Sequence, residues 1–244
     1  MKKKTVFISG SSRGIGYYLA QEFLKDQYEV LINGSNLNNL KKASSELGNC
    51  SYYLADLTNE NKIKSLSKKL MKQKKTIDIL ICNYGESNKL KTHTDLLYAY
   101  KTNFFSTTNL IFNFKKLLYK NYSNIICISS ICGKYVIPEA PIGYSLAKSS
   151  INHFVKLINY HHEYKNVNIN SLALGNVMFK GSLWERKIKI DRKQTLDHIK
   201  KNVPNNNFVK IEDIYSVCSL LINKKNKSLT GSTIVLDNGQ NKSF

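Results

Sequence analysis

Short apolar segments alternate with helix-like segments along almost the whole chain of 244 residues. The apolar segments are nearly continuous in Ile, Leu and Val, which is typical of strands that are covered on both faces. Parallel strands need long crossover connections, usually helices, so the alternation predicts an α/β fold with a doubly wound, Rossmann-type parallel sheet. The predicted strands are residues 5–9, 29–33, 50–55, 77–83, 124–130, 167–173 and 233–236, and the predicted helices are residues 15–25, 37–47, 61–73, 95–120, 144–164 and 211–221.

The chain has no linker, repeat or break in composition, so we expect a single domain over residues 1–244. Ligands of doubly wound sheets bind at the carboxyl ends of the strands. Residues 179–202, which include Trp184 and many lysines, follow one such strand and form the predicted substrate lid. Two roles remain open for Trp184, which either caps an apolar substrate or anchors the lid.

A glycine-rich turn follows the first predicted strand and opens the first helix. Three glycines at this place permit a tight turn, close approach of the backbone to a pyrophosphate, and close packing of the helix on the sheet. The N-terminus of the helix offers free N–H groups to the phosphates. The turn therefore predicts a dinucleotide site, with Gly10, Ser12, Arg13, Gly14, Ile15 and Gly16 as candidate cofactor-binding residues.

The end of the second strand indicates which dinucleotide is bound. Asn33 is followed by Gly34, Ser35 and Asn36, so no carboxylate is present to accept hydrogen bonds from a ribose 2′-hydroxyl. Arg13, inside the glycine turn, is suited to pair with a 2′-phosphate. We therefore expect NADP(H) rather than NAD(H) as the cofactor.

A tyrosine and a lysine, Tyr144 and Lys148, are four residues apart and would share one helix face. Chance alone would produce about two such pairs in a chain this rich in tyrosine and lysine. The surrounding motifs must therefore indicate whether this pair is functional. Ser130 ends the preceding strand at the carboxyl edge of the sheet, and Asn103 lies on the helix before that strand. The four side chains are the candidate catalytic residues.

Together these motifs resemble the short-chain dehydrogenase/reductase family over almost the whole chain. The resemblance rests on the glycine turn, on Asp56-Leu57 after the third strand, on Asn83-Tyr84-Gly85 after the fourth, and on the Asn, Ser-x-x-Gly and Tyr-x3-Lys motifs. It implies further cofactor contacts from Asp56, Leu57, Asn83, Gly85, Gly175 and Val177, and also from Tyr144 and Lys148. The chain departs from the family where Leu174 and Phe179 replace the usual proline and threonine; Asn176 or main-chain groups would then contact the carboxamide of the cofactor.

The resemblance also implies roles for the catalytic residues. Tyr144 would protonate a carbonyl oxygen, Ser130 would hydrogen-bond that oxygen, and Lys148 would lower the pKa of the phenol and hold the nicotinamide ribose. Asn103 would position a water molecule in a proton relay. The predicted activity is reduction of a carbonyl to an alcohol by hydride transfer from NADPH.

Among family members, the chain is most similar to 3-oxoacyl-(acyl-carrier-protein) reductases, which implies a 3-oxoacyl thioester as the candidate substrate. An acidic acyl carrier protein is then a candidate partner, with Lys120 and Lys165 as possible contacts. The alternative enzyme is a reductase of a sugar, a sugar nucleotide or another small ketone. An alternative of another class is a non-catalytic, cofactor-binding regulatory protein, which would be expected to lose Tyr144 or Lys148. The resemblance further implies a homodimer or homotetramer assembled through the two long helices.

Charge and cysteine content limit the remaining possibilities. The net charge is +20, but 34 of the 37 basic residues are scattered lysines, which favours a general lysine coat over a nucleic-acid surface. The five cysteines form no C-x-x-C pair and no metal-like cluster, so we expect no metal site and a reducing, cytoplasmic location. No apolar stretch approaches the length of a membrane span.

Overall fold

The structure, a computed structural model, describes residues 3–87, 92–118 and 122–242. Its strands are β1 (Thr5–Ile8), β2 (Glu29–Gly34), β3 (Cys50–Leu54), β4 (Ile79–Cys82), β5 (Ser123–Ser130), β6 (Val167–Leu174) and β7 (Thr233–Leu236). They form one parallel sheet in the order β3-β2-β1-β4-β5-β6-β7. This topology confirms the predicted doubly wound α/β fold.

The helices are α1 (Gly14–Lys25), α2 (Leu37–Leu47), α3 (Glu60–Lys72), α4 (His93–Tyr100), α5 (Ser106–Phe114), α6 (Ile142–Ile158), α7 (Leu183–Ile190), α8 (Arg192–Asn202) and α9 (Ile211–Ile222). A π-helical turn, Lys101–Phe105, joins α4 to α5. Short 3-10 turns lie at Lys115–Leu117, Ile131–Gly133, His162–Tyr164 and Lys224–Asn226. None of the helices within the described ranges is both long enough and apolar enough to cross a membrane.

Two apolar clusters hold the layers together, one on each face of the sheet. Successive strand residues point to opposite faces, so Phe7 of β1 packs into one cluster while Val6 and Ile8 pack into the other. The first cluster is completed by α3, α5 and α6, and the second by α1, α2 and α9. Both faces are therefore buried, which explains the unbroken apolar strands.

The chain reverses its direction of winding between β1 and β4. From β1 it proceeds outward to β2 and β3, and then returns to place β4 on the other side of β1. Crossovers on the two sides of this point lie on opposite faces, which leaves a crevice at the carboxyl ends of β1 and β4. The glycine turn and residues Asn83 to Gly85 follow these two ends.

Two predicted helices differ from the observed ones. The predicted helix over residues 95–120 is interrupted by the π-helical turn and gives way to a 3-10 turn at Lys115; its predicted end at Lys120 lies outside the described residues. The predicted helix over residues 144–164 ends at Ile158. In addition, the lid contains two helices that the sequence did not predict, α7 and α8, which begin after the capping side chains of Ser182 and Asp191.

Candidate active site

The glycine turn links β1 to α1 along a path that requires glycine. Gly10 and Gly14 have φ angles of +59° and +62°, a region that glycine enters without steric cost. A Cβ atom on Gly16 would lie only 2.7 Å from the carbonyl oxygen of Gly10. The Ser11 hydroxyl anchors the turn by donating to the Ile8 carbonyl oxygen at 2.6 Å. The turn is thus a rigid connection at the carboxyl edge of the sheet.

The start of α1 offers N–H groups to a ligand. Arg13 is the N-cap residue, and its side chain is exposed and makes no capping hydrogen bond within the described residues. Free N–H groups and the positive end of the helix dipole together bind phosphate. Ser12 faces the end of β2, since a Cβ atom on Gly34 would lie 3.3 Å from the Ser12 Oγ atom. Ser12 therefore lies beside the end of β2, and the neighbouring Arg13 side chain is exposed at the start of α1.

Three of the predicted cofactor-binding residues pack against the core. Leu57 is only 3% exposed and belongs to the first cluster, so only its main chain can reach a ligand. Val177 is buried in the second cluster, and Ile15 is partly buried against it. The neighbouring Asp56 is exposed, and its carboxylate accepts hydrogen bonds from the main chain and hydroxyl of Thr58. A cofactor contact by Leu57 stays a prediction, and its burial leaves the main chain as the part that would make it.

Asn83 ties the end of β4 to the glycine turn. Its Nδ2 atom donates to the carbonyl oxygens of Ser9, at 3.1 Å, and Gly10, at 2.9 Å. The Ser9 hydroxyl in turn accepts hydrogen bonds from the main-chain N–H groups of Asn83 and Tyr84. Asn83 therefore holds the wall of the site in place, and its amide group is occupied by these contacts.

Asn103 lies fully buried in the π-helical turn, a distortion that is frequent at functional sites. Its Nδ2 atom donates to the Glu86 carbonyl oxygen at 2.9 Å, and its Oδ1 atom accepts from the Glu86 N–H group at 3.1 Å. A Cβ atom on Gly85 would lie 2.6 Å from Asn103 Oδ1 and 3.2 Å from Lys148 Nζ. The Asn103 amide and the Lys148 Nζ atom therefore both border the space into which a side chain of residue 85 would point.

Gly133 allows α6 to pass close to the end of β5. A Cβ atom on Gly133 would lie 2.5 Å from the Lys148 carbonyl carbon, so any side chain there would push the helix away. This packing brings Tyr144 and Lys148 beside Ser130. Ser129 instead donates a hydrogen bond to the Lys148 carbonyl oxygen at 3.4 Å, which leaves Ser130 as the serine that interacts with the Tyr144 phenol.

Burial shifts the pKa values of Tyr144 and Lys148, the two titratable candidate catalytic residues. It raises the pKa of Tyr144 to about 12, and the Ser130 hydroxyl acts in the opposite direction. It lowers the pKa of Lys148 from 10.5 to about 8. The Lys148 Nζ atom donates to the Ile128 carbonyl oxygen at 2.9 Å and lies 5.6 Å from the centre of the Tyr144 ring. The site therefore holds a neutral phenol beside a lysine whose pKa is about 8. The expected lowering of the Tyr144 pKa by Lys148 is not seen, because burial dominates and raises this pKa.

The family assignment follows from comparison with known proteins. A family model described as enoyl-(acyl carrier protein) reductase matches residues 10–241. The chain belongs to the short-chain dehydrogenase/reductase family. Two similar relatives are the 3-oxoacyl-(acyl-carrier-protein) reductases FabG of Buchnera aphidicola subsp. Acyrthosiphon pisum and Rickettsia bellii. They are 26% and 28% identical to this chain, over 98% and 97% of it and 98% and 96% of their own lengths.

A solved structure with a similar fold is L-sorbose reductase from Gluconobacter frateurii, described as a complex with NADPH and L-sorbose. It superposes with a TM-score of 0.91 at 17% identity and covers 100% of this chain and 98% of its own. The seven-stranded parallel sheet with helices on both faces is thus the fold of short-chain dehydrogenase/reductases.

The segment after β6 differs from the pattern expected of a short-chain dehydrogenase/reductase. Gly175 packs against Asp237, where a Cβ atom would lie 2.8 Å from the Asp237 Cα atom. The Nδ2 atom of Asn176 is buried and has no hydrogen-bond partner among the residues described. Phe179 stands where threonine is usual, and its ring lies against Gly14 of the glycine turn. Sequence reasoning noted the replacement but missed this contact, which joins segments far apart in the chain.

A second residue that sequence reasoning missed is Cys132, two residues after Ser130. Its thiol interacts electrostatically with the Tyr144 phenol, and its main-chain N–H group donates to the Ser130 hydroxyl at 3.2 Å. Burial raises the pKa of the Cys132 thiol, so the neutral form is favoured. The signal available in the sequence was its position inside the Ser-x-x-Gly motif.

The lid is held together by aromatic contacts around Trp184. The Trp184 ring lies 5.6 Å from the His198 ring and 5.5 Å from the Phe208 ring, measured between centroids, and Lys187 lies over it at 4.5 Å. These contacts join α7 to α8 and to the loop that follows α8. Of the two roles left open for Trp184, the contacts favour the anchor.

Proposed function

We propose that the protein is an NADP(H)-dependent reductase that converts a carbonyl group to an alcohol. The observation that carries this proposal is the convergence of Ser130, Tyr144 and Lys148 at the carboxyl edge of the sheet, with Asn103 behind Gly85. The glycine turn that would hold the dinucleotide follows β1, which is separated from β5 by β4 alone. A hydride donor held in this crevice would face the phenol and the serine hydroxyl together.

The residues of the site fit a dinucleotide with a 2′-phosphate. Gly14 and the free N–H groups of α1 form a cradle for a pyrophosphate that a side chain would fill. The side chain of Arg13 is exposed beside Ser12, and residues 33–36 carry no carboxylate to compete with a 2′-phosphate. The likeness to a reductase described as an NADPH complex agrees with this choice. Asn176 is a further candidate contact, toward the carboxamide, because its buried amide lacks a partner.

In the proposed reaction, each catalytic side chain acts on the oxygen or the proton. NADPH, when bound in the crevice, would supply the hydride that reduces the carbonyl carbon. Tyr144 gives its phenolic proton to the carbonyl oxygen, which becomes the hydroxyl of the product, and Ser130 hydrogen-bonds that oxygen as negative charge develops. Lys148, as an ammonium, stabilises the resulting phenolate and holds the nicotinamide ribose. Asn103 positions the water molecule that returns a proton to the site.

For the substrate, we propose a 3-oxoacyl thioester carried by an acyl carrier protein. Support comes from the two FabG relatives, which align over nearly their full lengths. The loop between Ser130 and Tyr144 also exposes apolar side chains, since Val136 is 93% and Ile142 67% exposed. An acidic carrier would be attracted by the net charge of +20. Lys165 is exposed and available to it, whereas the second predicted contact, Lys120, lies outside the described residues.

A sugar ketone is the second candidate substrate. The observation that favours it is the high structural similarity to L-sorbose reductase, at a TM-score of 0.91. A second relative, glucose 1-dehydrogenase 2 of Bacillus subtilis, also acts on a sugar by its name and is 23% identical to this chain.

We also propose that the protein assembles as a dimer or tetramer in the cytoplasm. The outer surface formed by the π-helical turn, α5 and α6 exposes Phe105, Phe112, Leu146 and Leu157, each between 45% and 59% accessible. Several large apolar side chains exposed on neighbouring elements are typical of an interface. Five free thiols agree with a reducing compartment.

The test is a screen of NADPH oxidation against acetoacetyl thioesters, sugar ketones and simple diketones. Activity on thioesters that is lost in Tyr144→Phe supports the proposal. Turnover confined to sugar ketones favours the second candidate, and absence of turnover with every class contradicts the enzymatic role.

A further inference from the structure

The ring of Phe179 lies directly against the glycine turn. A Cβ atom built on Gly14 would lie 3.0 Å from Cε2 and 3.4 Å from Cζ of Phe179. Phe179 directly follows Met178 in the segment after β6, so this contact joins two ends of strands that lie on opposite sides of the crevice. The ring therefore reaches across the mouth of the proposed cofactor site.

The position of the ring matters because of what Gly14 does in the turn. A glycine at this place leaves the backbone open, so that a pyrophosphate can approach the N–H groups at the start of the helix. The space in which a side chain of residue 14 would point is the space that this approach needs. The ring partly occupies that space, since its nearest carbon would lie 3.0 Å from a Cβ atom of residue 14, closer than ordinary van der Waals contact, so the ring and a pyrophosphate would compete for it.

Main-chain contacts fix the segment that carries the ring. The Phe179 N–H group donates to the Ser182 hydroxyl at 3.4 Å, and the Ser182 N–H group donates to the Phe179 carbonyl oxygen at 2.9 Å. Ser182 is 4% exposed and caps α7, the first helix of the lid. The ring itself packs against the second apolar cluster. The Phe179 main chain is thus hydrogen-bonded to the residue that caps the lid helix carrying Trp184.

We propose that Phe179 gates the cofactor site: its ring covers Gly14 and must leave that face before the pyrophosphate of the dinucleotide binds. The inference rests on the proposed binding of NADP(H). In energetic terms, only the fraction of molecules with the ring displaced binds the cofactor, so the apparent affinity is reduced by that fraction. A minor state of this kind is commonly populated to about 0.1–10%.

The test is stopped-flow mixing of NADPH with the full-length protein, followed by the fluorescence of bound NADPH. For the wild type, the observed rate should level off as the NADPH concentration rises, because ring displacement precedes binding. Phe179→Ala should remove this plateau and lower the dissociation constant for NADPH by about tenfold or more. Phe179→Leu keeps apolar bulk without the flat ring, so its dissociation constant for NADPH should lie between those of the wild type and Phe179→Ala. Trp184 is the only tryptophan, and its emission in the wild type should change at the rate of NADPH binding.

Phe208→Ala is the matched control, since it removes an aromatic ring from the Trp184 cluster without touching Gly14. It should retain the wild-type plateau. An NADPH dissociation constant in Phe179→Ala that is unchanged or higher than in the wild type overturns the gate. Loss of the plateau in the rate of NADPH binding in Phe208→Ala as well would also overturn it, because it would indicate general loosening of the lid. If Phe179→Ala does not fold, Phe179→Leu decides by the same criteria. If neither the wild type nor any variant binds NADPH or NADH, the proposed function itself fails and the gate fails with it.

Discussion

Replacing Lys148 by methionine should make the folded protein more stable at pH 7 while removing its activity. The lysine side chain is buried, with only 4% of the residue exposed, and burial lowers its pKa from 10.5 to about 8. At pH 7 the folded protein thus holds an ammonium group in an environment that disfavours it. Methionine has a similar length and no charge, so it removes this cost.

The size of the effect follows from the pKa. One pKa unit corresponds to about 1.4 kcal/mol, so the lowered pKa of Lys148 represents about 3 kcal/mol of lost stability at pH 7. Methionine also loses the hydrogen bond to the Ile128 carbonyl oxygen, which is worth about 1 kcal/mol. The free energy of unfolding of Lys148→Met should therefore exceed that of the wild type by about 2 kcal/mol.

The sign of the pH dependence is also determined. Between pH 8 and 10.5 the unfolded chain holds the Lys148 proton and the folded chain does not. The unfolded state binds more protons, so the stability of the wild type rises with pH across this window. The stability of Lys148→Met should show no such rise. The difference in free energy of unfolding between Lys148→Met and the wild type should therefore be largest below pH 8 and should decrease as the pH approaches 10.5.

Urea unfolding of both proteins at pH 7, 9 and 10.5, with linear extrapolation, measures the difference. Lys156→Met is the matched control, because Lys156 lies on the same helix but is exposed; it should behave as the wild type at every pH. A variant that is no more stable at pH 7, or an advantage that does not change with pH, would refute the account of Lys148.

Three further predictions concern the cofactor, the catalytic geometry and the assembly. Gly85→Ala should lower kcat/KM by about a hundredfold, since the added methyl group would displace Asn103 and Lys148; full activity would show that the two side chains can move without loss. Arg13→Ala should weaken NADPH binding by about tenfold to a hundredfold in calorimetry while leaving NADH binding unchanged, and equal losses would contradict a contact with the 2′-phosphate. Phe112→Glu should shift the protein toward the monomer in light scattering, and an unchanged mass would place the interface elsewhere.

The sheet and the dinucleotide turn were predictable from local patterns. Apolar runs located all seven strands within a few residues, because the central strands are covered on both faces and are therefore rich in Ile, Leu and Val. The glycine turn was predictable because the φ angles at Gly10 and Gly14 require the residue type found there.

The π-helical turn and the lid helices were not predictable in the same way. The π-helical turn brings Asn103 to the main chain of Glu86, a contact between distant segments that leaves no local periodicity. Helices α7 and α8 are rich in lysine and bury few side chains. They therefore lack the pronounced apolar stripe by which a typical surface helix is predicted. Only the capping residues Ser182 and Asp191 marked their starts.

Within the site, motifs predicted candidate reactive groups but not the residues packed around them. Ser130, Tyr144 and Lys148 were found from spacing and family resemblance, which encode the chemistry. The ring of Phe179 against Gly14 and the thiol of Cys132 near Tyr144 depend on how separate segments pack. Local sequence patterns do not predict such contacts, because they depend on the tertiary packing of segments that are distant in the chain.

A single-turnover experiment with NADPH bound to excess enzyme tests the central assignment most directly. With an acetoacetyl thioester added, the wild type should convert bound NADPH to NADP⁺ in one phase, whereas Tyr144→Phe should bind NADPH with the same dissociation constant and transfer hydride at least about a hundredfold more slowly. Hydride transfer in Tyr144→Phe at the wild-type rate would contradict the assignment of this phenol as the proton donor.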